Sequence, residues 1–261
     1  DTFFYQTGLK LGIDKLAEYT GGFGFGTKTG VPLINEKSGL VPSQEWKKKT
    51  FGSRWFEGET ISVSVGQGYM LTTPLQLLDA YSAIANGGTL YTPKVVEEVT
   101  DPPGAVLSKF TPEERGKLKI SPDTLAYVRS ALAGVVADEK GTAHWLNAAG
   151  LKIAGKTGTA QVSKLIKRTK DIEKIAYKYR DHAWFAGYAP YDDPKIAVVV
   201  IVEHGGFGSS AAAPVAREIF KAYLTPEKMN EKPGAPKVIT AGQGTPGETR
   251  LVAAPEGTPD D

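Results

Sequence analysis

Apolar positions follow a helical period through the first part of this chain, a strand period after residue 150, and a helical period again beyond residue 210. Leu75, Leu78, Tyr81, Ile84 and Ala85 recur three or four residues apart, which places them on one face of a helix. The start of that helix is marked by Thr73-Pro74-Leu75-Gln76. Thr73 can accept an amide hydrogen bond, Gln76 can return one, and the proline stands where its missing N–H costs nothing. Asn86-Gly87-Gly88 ends the run. Ser121-Pro122 opens a second helix with Leu125, Val128, Leu132, Val135 and Val136 on one face. A third begins near Ser210 or Pro214, and its Val215, Ile219, Phe220, Tyr223 and Leu224 are expected to dock on a sheet.

Between the second and third helices the period shortens. Leu151 to Val162 alternates over several residues, and the segments Ala183 to Tyr188 and Lys195 to Val202 flank the turn cluster Pro190-Tyr191-Asp192-Asp193-Pro194. That pattern predicts one strand followed by an antiparallel hairpin. Lys195 to Val202 is apolar at nearly every position, so this strand is expected to be covered on both faces. Helices, then antiparallel strands, then a terminal helix describe an α+β chain, not the strand–helix alternation of a doubly wound sheet.

The strand nearest residue 150 carries the chemistry. In Lys156-Thr157-Gly158-Thr159 a cation, two hydroxyls and a glycine share a short piece of extended backbone. Alternate side chains share a face, so Lys156 and Gly158 point one way and Thr157 and Thr159 the other. A strand edge built so offers a cation, a hydroxyl and free amides to an anionic substrate. Taken alone, these are also ordinary strand residues. The same residues fit a second pattern, since Gly150-Leu-Lys-Ile-Ala-Gly155-Lys156-Thr157 matches G-x-x-x-x-G-K-[ST]. The run Ile196 to Glu203 even resembles the strand that supplies a metal-binding carboxylate beside a nucleotide. A phosphate loop needs a buried strand before it and a helix after its lysine. Here His144-Trp-Leu-Asn precedes and Gly158-Thr-Ala-Gln-Val follows, which supports neither. A further Lys-Thr-Gly at 28–30 lies among glycines and runs into Val31-Pro32, so it reads as loop.

Composition narrows the rest. The 261 residues have a net charge of +2, 41% hydrophobic and 23% charged content, close to an ordinary globular protein of one large or two small domains. No strong field points to nucleic acid or to an anionic membrane. With no cysteine, thiol nucleophiles, disulfides and cysteine-held metals are excluded. His144, His182 and His204 lack ligand-like spacing and read as strand-end or loop residues, and no cofactor is called for. Trp184 and Phe185 are expected to pack the sheet, with the alternative that one of them faces the cleft. Ser163 to Arg180 holds seven Lys or Arg against two acids and reads as an exposed basic insert or a flap beside Lys156. From Pro226 onward six prolines and five glycines in thirty-six residues read as a tail or linker, 226–261, after a domain spanning 1–225. The longest apolar run, Ile196 to Val202, is too short to span a bilayer. Without an initiator methionine or signal peptide, the chain looks like part of a longer protein.

Several segments together resemble one family. Lys-Thr-Gly is the third signature of the penicillin-binding proteins and class A β-lactamases, beside S-x-x-K and S-D-N. Ser64-Val-Gly66-Gln67-Gly68-Tyr69, Thr73-Pro74-Leu75-Gln76 and Ala85-Asn86-Gly87-Gly88 resemble the stretch before the K-T-G strand in class B penicillin-binding proteins. Phe25-Gly26, Thr29-Gly30-Val31 and Gly39-Leu-Val-Pro42 match the preceding loop. Gly155 to Val162, Asp181 to Pro190 and Glu203-His-Gly-Gly206 match the active-site strand, its neighbour and the end of the last strand. The opening Asp1-Thr-Phe-Phe-Tyr is similar to the elongation-type group, penicillin-binding protein 2, in which the second motif is Ser-x-Asp.

The resemblance implies a β-lactamase/transpeptidase-like fold, an antiparallel sheet with helices on both faces, of which this chain supplies the last three of five strands. It implies a peptidoglycan D,D-transpeptidase at the periplasmic face of the bacterial inner membrane, anchored outside this chain. Its partners would be stem peptides and β-lactams, the cell-elongation machinery, and the missing N-terminal part of its own domain. Lys156, Thr159 and Asp1 would be catalytic, and Thr157, Gly158 and Thr159 would bind substrate. The Thr159 amide would be one oxyanion-hole donor, and Asp1 the last residue of the Ser-x-Asp motif. No serine here is followed three residues later by lysine, so the nucleophile of S-x-x-K is absent from these residues. The chain alone is therefore expected to be inactive and to leave apolar surface uncovered. A non-catalytic transpeptidase-like scaffold is the alternative.

Overall fold

The computed structural model describes residues 1–162 and 174–224. Most of the basic insert (163–173) and the expected tail (226–261) lie outside the described residues. Four helices open the chain: α1 (Thr2–Leu11), α2 (Ile13–Gly22), α3 (Gln44–Phe51) and α4 (Glu57–Val63). The capped helix is α5 (Pro74–Ala85). Short strands β1 (Thr89–Tyr91), β2 (Glu98–Thr100), β3 (Val106–Lys109) and β4 (Glu114–Lys117) lead to α6 (Pro122–Ala137). Then come β5 (Ala154–Ala160), β6 (His182–Ala189), β7 (Ile196–Val202) and α7 (Ala212–Leu224). The architecture is α+β, with β5, β6 and β7 forming an antiparallel sheet in that order.

Helices cover both faces of this sheet. On one, Ile84 and Ala85 of α5 and Leu125 of α6 pack against Ala154 and Tyr188. On the other, Ala212, Ala213, Ala216 and Phe220 of α7 join Phe185, Val198 and Val200. The predicted caps form. Thr73 Oγ1 accepts from Gln76 N at 3.1 Å, and Gln76 Oε1 accepts from Thr73 N at 3.0 Å. Ser121 Oγ accepts from Thr124 N at 3.2 Å at the start of α6.

The buried faces of two helices differ from the sequence reading. On α5 the closed positions include Gln76, Asp79, Ala80 and Ala83, whereas Leu75, Leu78 and Tyr81 are only partly covered. The loop between α2 and α3 lies on this helix and brings carbonyls that need donors. Gln76 Nε2 donates to Thr27 O at 2.6 Å and to Ser38 O at 2.7 Å, and Asp79 pairs with Arg115 of β4. A polar side chain that satisfies buried backbone displaces the apolar stripe from the centre of the contact. On α7, Phe220 and Leu224 do pack on the sheet, but Val215, Ile219 and Tyr223 are 46%, 40% and 52% exposed. Small alanines let the helix approach the sheet closely, which turns the bulkier stripe outward.

Strand β7 meets helices on both faces, yet only Val198 and Val200 are closed to solvent. It stands at an edge, with no strand beyond it among the described residues. The pairs β1–β4 and β2–β3 had no clear sequence signal, because Glu98-Val99-Thr100 and Glu114-Arg115-Gly116-Lys117 are short and largely polar.

Truncating Phe220, fully buried on α7, should cost about 3–5 kcal/mol as Phe220→Ala. Val215→Ala on the exposed side of the same helix should stay within about 0.5 kcal/mol. Urea unfolding of the two variants measures the contrast, and equal costs would mean that α7 docks through the face read from sequence.

Candidate functional site

Among the described residues, strand β5 is paired on one side only. Its inner edge runs along β6, with Lys156 opposite Ala186, Thr157 opposite Phe185 and Gly158 opposite Trp184. Its outer edge opens on a cavity of about 770 Å³. Asp1, Lys156, Thr157, Gly158 and Thr159 all line that cavity. Alternation along the strand separates Lys156 from the threonines, but a cavity that follows the strand edge is reached from both faces.

Each wall is positioned by packing elsewhere. Asp1 stands at the N-terminus of α1, and α1 is seated on α4 where Gly8 meets Ser64 so closely that any side chain at Gly8 would clash. The α4 wall supplies Ile61 and Ser62. Behind it, the Lys47 ammonium lies 4.5 Å from the Tyr69 ring centroid and 4.8 Å from that of Phe51, and donates to Glu59 Oε1 at 2.5 Å. A charge enclosed by aromatic faces and a carboxylate ties α3 to α4. Opposite, the loop after β7 presses on the strand. A side chain at Gly208 would approach Gly158 O to 2.5 Å and Gly158 N to 2.9 Å. Gly158 itself has room for a Cβ only at 3.2 Å from that of Trp184, so its missing side chain already serves packing within the sheet.

Lys156 turns back along its own strand. Its ammonium donates to Thr157 O at 2.8 Å and lies 3.3 Å from Thr157 Oγ1, which in turn sits 3.1 Å from Thr142 Oγ1. Partial withdrawal from water holds the Lys156 pKa below the ordinary lysine value. The cation thus sits at the outer edge of β5, with its proton held less tightly than in solution. Thr159 O accepts from Gln67 Nε2 at 2.8 Å, so this carbonyl faces outward. In an antiparallel strand the N–H and C=O of one residue point to the same edge, so the Thr159 N–H faces the cavity as well.

The chain also shows how this tripeptide treats a carboxylate. The loop copy at Lys28-Thr29-Gly30 holds Glu36: Thr29 N and Thr29 Oγ1 each donate to Glu36 Oε1 at 2.6 Å, and Gly30 N donates to Oε2 at 3.2 Å. Burial opposes the charged form of Glu36, yet these hydrogen bonds outweigh it and keep the carboxyl below its usual range. In β5 the same donor types line the cavity and meet no carboxylate among the described residues, Thr157 Oγ1 lying instead beside Thr142 Oγ1 and the Lys156 ammonium.

Sequence reasoning gave no site role to Gln67 or Asp181 and read Arg180 only as the end of the basic insert, yet all three line the cavity. Gln67 was visible only as the middle of Gly66-Gln67-Gly68. Arg180 and Asp181 fall at the junction of the basic insert with β6. The His182 and His204 rings lie 4.7 Å apart, tilted by 58°, between the beginning of β6 and the end of β7, and His144 Nδ1 lies 3.1 Å from Val136 O. Phe185 is fully buried in the sheet, and neither it nor Trp184 lines the cavity. Lys156 stands in mid-strand and the chain continues as strand to Ala160, so the phosphate-loop reading fails.

Known proteins support a single assignment. The family described as the penicillin binding protein transpeptidase domain matches residues 1–221. The chain is 39% identical over 228 residues to the peptidoglycan D,D-transpeptidase MrdA of Haemophilus influenzae, covering 86% of this chain and 35% of that protein. It is 36% identical over 245 residues to MrdA of Escherichia coli, covering 93% and 38%. Among solved structures, Pseudomonas aeruginosa PBP2 in complex with WCK 5153 superimposes with a TM-score of 0.71 at 37% identity, over 87% of this chain and 45% of that one. PBP2 of Helicobacter pylori in its complex with MreC gives 0.70 at 35% identity, over 85% and 38%. The chain therefore spans little more than a third of the length of these curated relatives.

The two lysines nearest the start of β5 should titrate in opposite directions. Burial lowers Lys156, whereas the hydrogen bond and charge of Asp192 raise Lys152 above the ordinary value. As pH rises, Lys156 should therefore lose its proton first. Carbon-13 NMR of the lysine side chains reads the order, and a reversed order would remove the electrostatic account of the cavity.

Proposed function

Since the chain belongs to the penicillin-binding protein transpeptidase family, we propose that it is the K-T-G-bearing part of a serine D,D-transpeptidase of bacterial cell-wall elongation. The observation that supports this reading is the unpaired edge of β5, where a cation, two hydroxyls and the outward amide of Thr159 face one cavity that Asp1 also borders. The transpeptidase unit is residues 1–225, followed by a Pro/Gly-rich tail.

A serine outside these residues attacks the carbonyl carbon of the penultimate D-Ala of a stem peptide. The carbonyl oxygen becomes an oxyanion, the amide C–N bond breaks, and the terminal D-Ala leaves as its amine after taking up a proton. An amine of a neighbouring stem peptide then attacks the ester and restores the serine hydroxyl. In this scheme the substrate's terminal carboxylate rests on Thr157 and Thr159, as Glu36 rests on Thr29. Lys156 keeps that end positive and, with its proton loosely held, supports proton transfer through the Ser-x-Asp serine. The Thr159 N–H is one oxyanion donor, a contact whose loss costs about 2.7–4 kcal/mol in comparable enzymes. Asp1 closes the α1 side of the cavity. β-Lactams enter by the same acylation.

The whole protein works at the periplasmic face of the inner membrane. No helix among the described residues is long and apolar enough to cross a membrane, so its anchor is assigned to other sequence. Partners of the cell-elongation machinery are inferred from the Helicobacter pylori relative, solved as a complex with MreC. The absence of S-x-x-K in these residues favours one second reading, a transpeptidase-like scaffold that forms no acyl-enzyme.

Intact-mass analysis after incubation with penicillin separates the two. This chain alone should stay unmodified, and a version extended upstream through S-x-x-K should gain one penicillin. In the extended protein Lys156→Ala should slow acylation on the order of 10²-fold. An extended protein that never acylates would establish the scaffold reading.

A further inference from the structure

Gln67 makes two hydrogen bonds to the active strand from more than ninety residues away. Its Nε2 donates to Thr159 O at 2.8 Å, and its Oε1 accepts from Gln161 N at 3.3 Å. Those two groups, on residues 159 and 161, are the ones that a neighbouring parallel strand would bind. One carboxamide therefore replaces a missing strand at the end of β5.

Thr159 sits where such a replacement matters. β5 ends at Ala160, its outer edge has no strand partner among the described residues, and the residue before Thr159 is glycine. Strand ends with few backbone partners open at low cost, and glycine adds conformational freedom. The Thr159 N–H would then sample several directions. A preorganised donor is effective because it needs no reorganisation when charge develops. Fixing the peptide after Thr159 at both its carbonyl and the next outward amide holds the residue extended and keeps its N–H aimed at the cavity.

The support for Gln67 is rigid. It lies between Gly66 and Gly68, with φ of 75° and 70°, values that L side chains rarely adopt. Gly66 N donates to Val63 O and Gln67 N to Ser62 O, both at 2.9 Å, closing the turn onto the end of α4. The Gly-Gln-Gly sequence thus shapes a tight turn that delivers one carboxamide to one edge.

We propose that Gln67 is a positioning residue that orients the Thr159 amide for oxyanion stabilisation. The proposal rests on the transpeptidase reading above. It assigns to Gln67 an effect on the acylation step, not on ligand capture.

The test uses the upstream-extended protein and penicillin, with time courses that separate the limiting acylation rate from the apparent dissociation constant of the initial complex. Gln67→Met keeps the volume and removes both hydrogen bonds. Gln67→Glu keeps an acceptor for Gln161 N and removes the donor to Thr159 O. Gln67→Met should lower the limiting rate about threefold to tenfold, the span of one net hydrogen bond, and leave the dissociation constant unchanged. Gln67→Glu should lower the rate at least as much, while its added charge on the cavity wall also weakens capture of the anionic penicillin. A wild-type rate in Gln67→Glu would overturn the proposal by showing that Gln67 acts only as a brace on Gln161. A change confined to the dissociation constant or to melting temperature in both variants would also overturn it. Absence of acylation in the wild-type extended protein would instead refute the transpeptidase reading, and this proposal with it. If Gln67→Met fails to fold, Gln67→Glu decides alone.

Discussion

Strand β5 depends on a glycine pair covered by one aromatic ring. Gly155 of β5 lies opposite Gly187 of β6, and a Cβ on either would crowd the other strand's backbone, 2.6 Å from Ala186 O in one case and 2.5 Å from Ala154 O in the other. The Phe185 ring fills the space over the pair, 2.7 Å from where a Gly155 Cβ would be and 3.0 Å from where a Gly187 Cβ would be. Phe185 is fully buried, and its neighbours in the core come from α7 and β7. One ring therefore couples the pairing of β5 and β6 to the packing of the whole sheet, compensating for the missing side chains of two strand glycines. With the inner edge secured in this way, β5 can leave its outer edge free for a ligand.

That free edge is managed instead of hidden. An unpaired strand edge offers a row of donors and acceptors to any passing chain. Here its two identified outward carbonyls are taken by side chains, Thr157 O by the Lys156 ammonium and Thr159 O by Gln67. What stays open toward the cavity is the amide of Thr159, with the Thr157 hydroxyl beside it shared between Thr142 and Lys156. Carbonyl acceptors are quenched and donors are left, which biases the cavity toward carboxylates and developing oxyanions. The Glu36 loop supports the same inference from inside the chain, because its Thr-Gly donors hold a carboxylate in the charged form.

How much of this was legible in the sequence follows from how local each cause is. The α5 cap, the hairpin of β6 and β7, and the clustering of reactive residues around Lys156 rest on neighbours in sequence, and all were readable. The buried face of α5 was not, because it is set by the carbonyls of Thr27 and Ser38, about fifty and forty residues away. The outward face of α7 was misread for a related reason. Hydrophobicity alone favours Val215 and Ile219, whereas close approach to the sheet favours the alanines. Gln67 was the hardest case, since a carboxamide standing in for a strand has no sequence pattern of its own.

The uncovered apolar surface carries the argument one step further. Phe3 and Phe4 on α1 are 71% and 58% exposed, and among the described residues β7 has an unpaired edge across the sheet from β5. α1 also brings Asp1 to the cavity, so one of these surfaces adjoins the proposed site. Packing that would cover α1 and extend the sheet past β7 therefore acts on stability and on site geometry together.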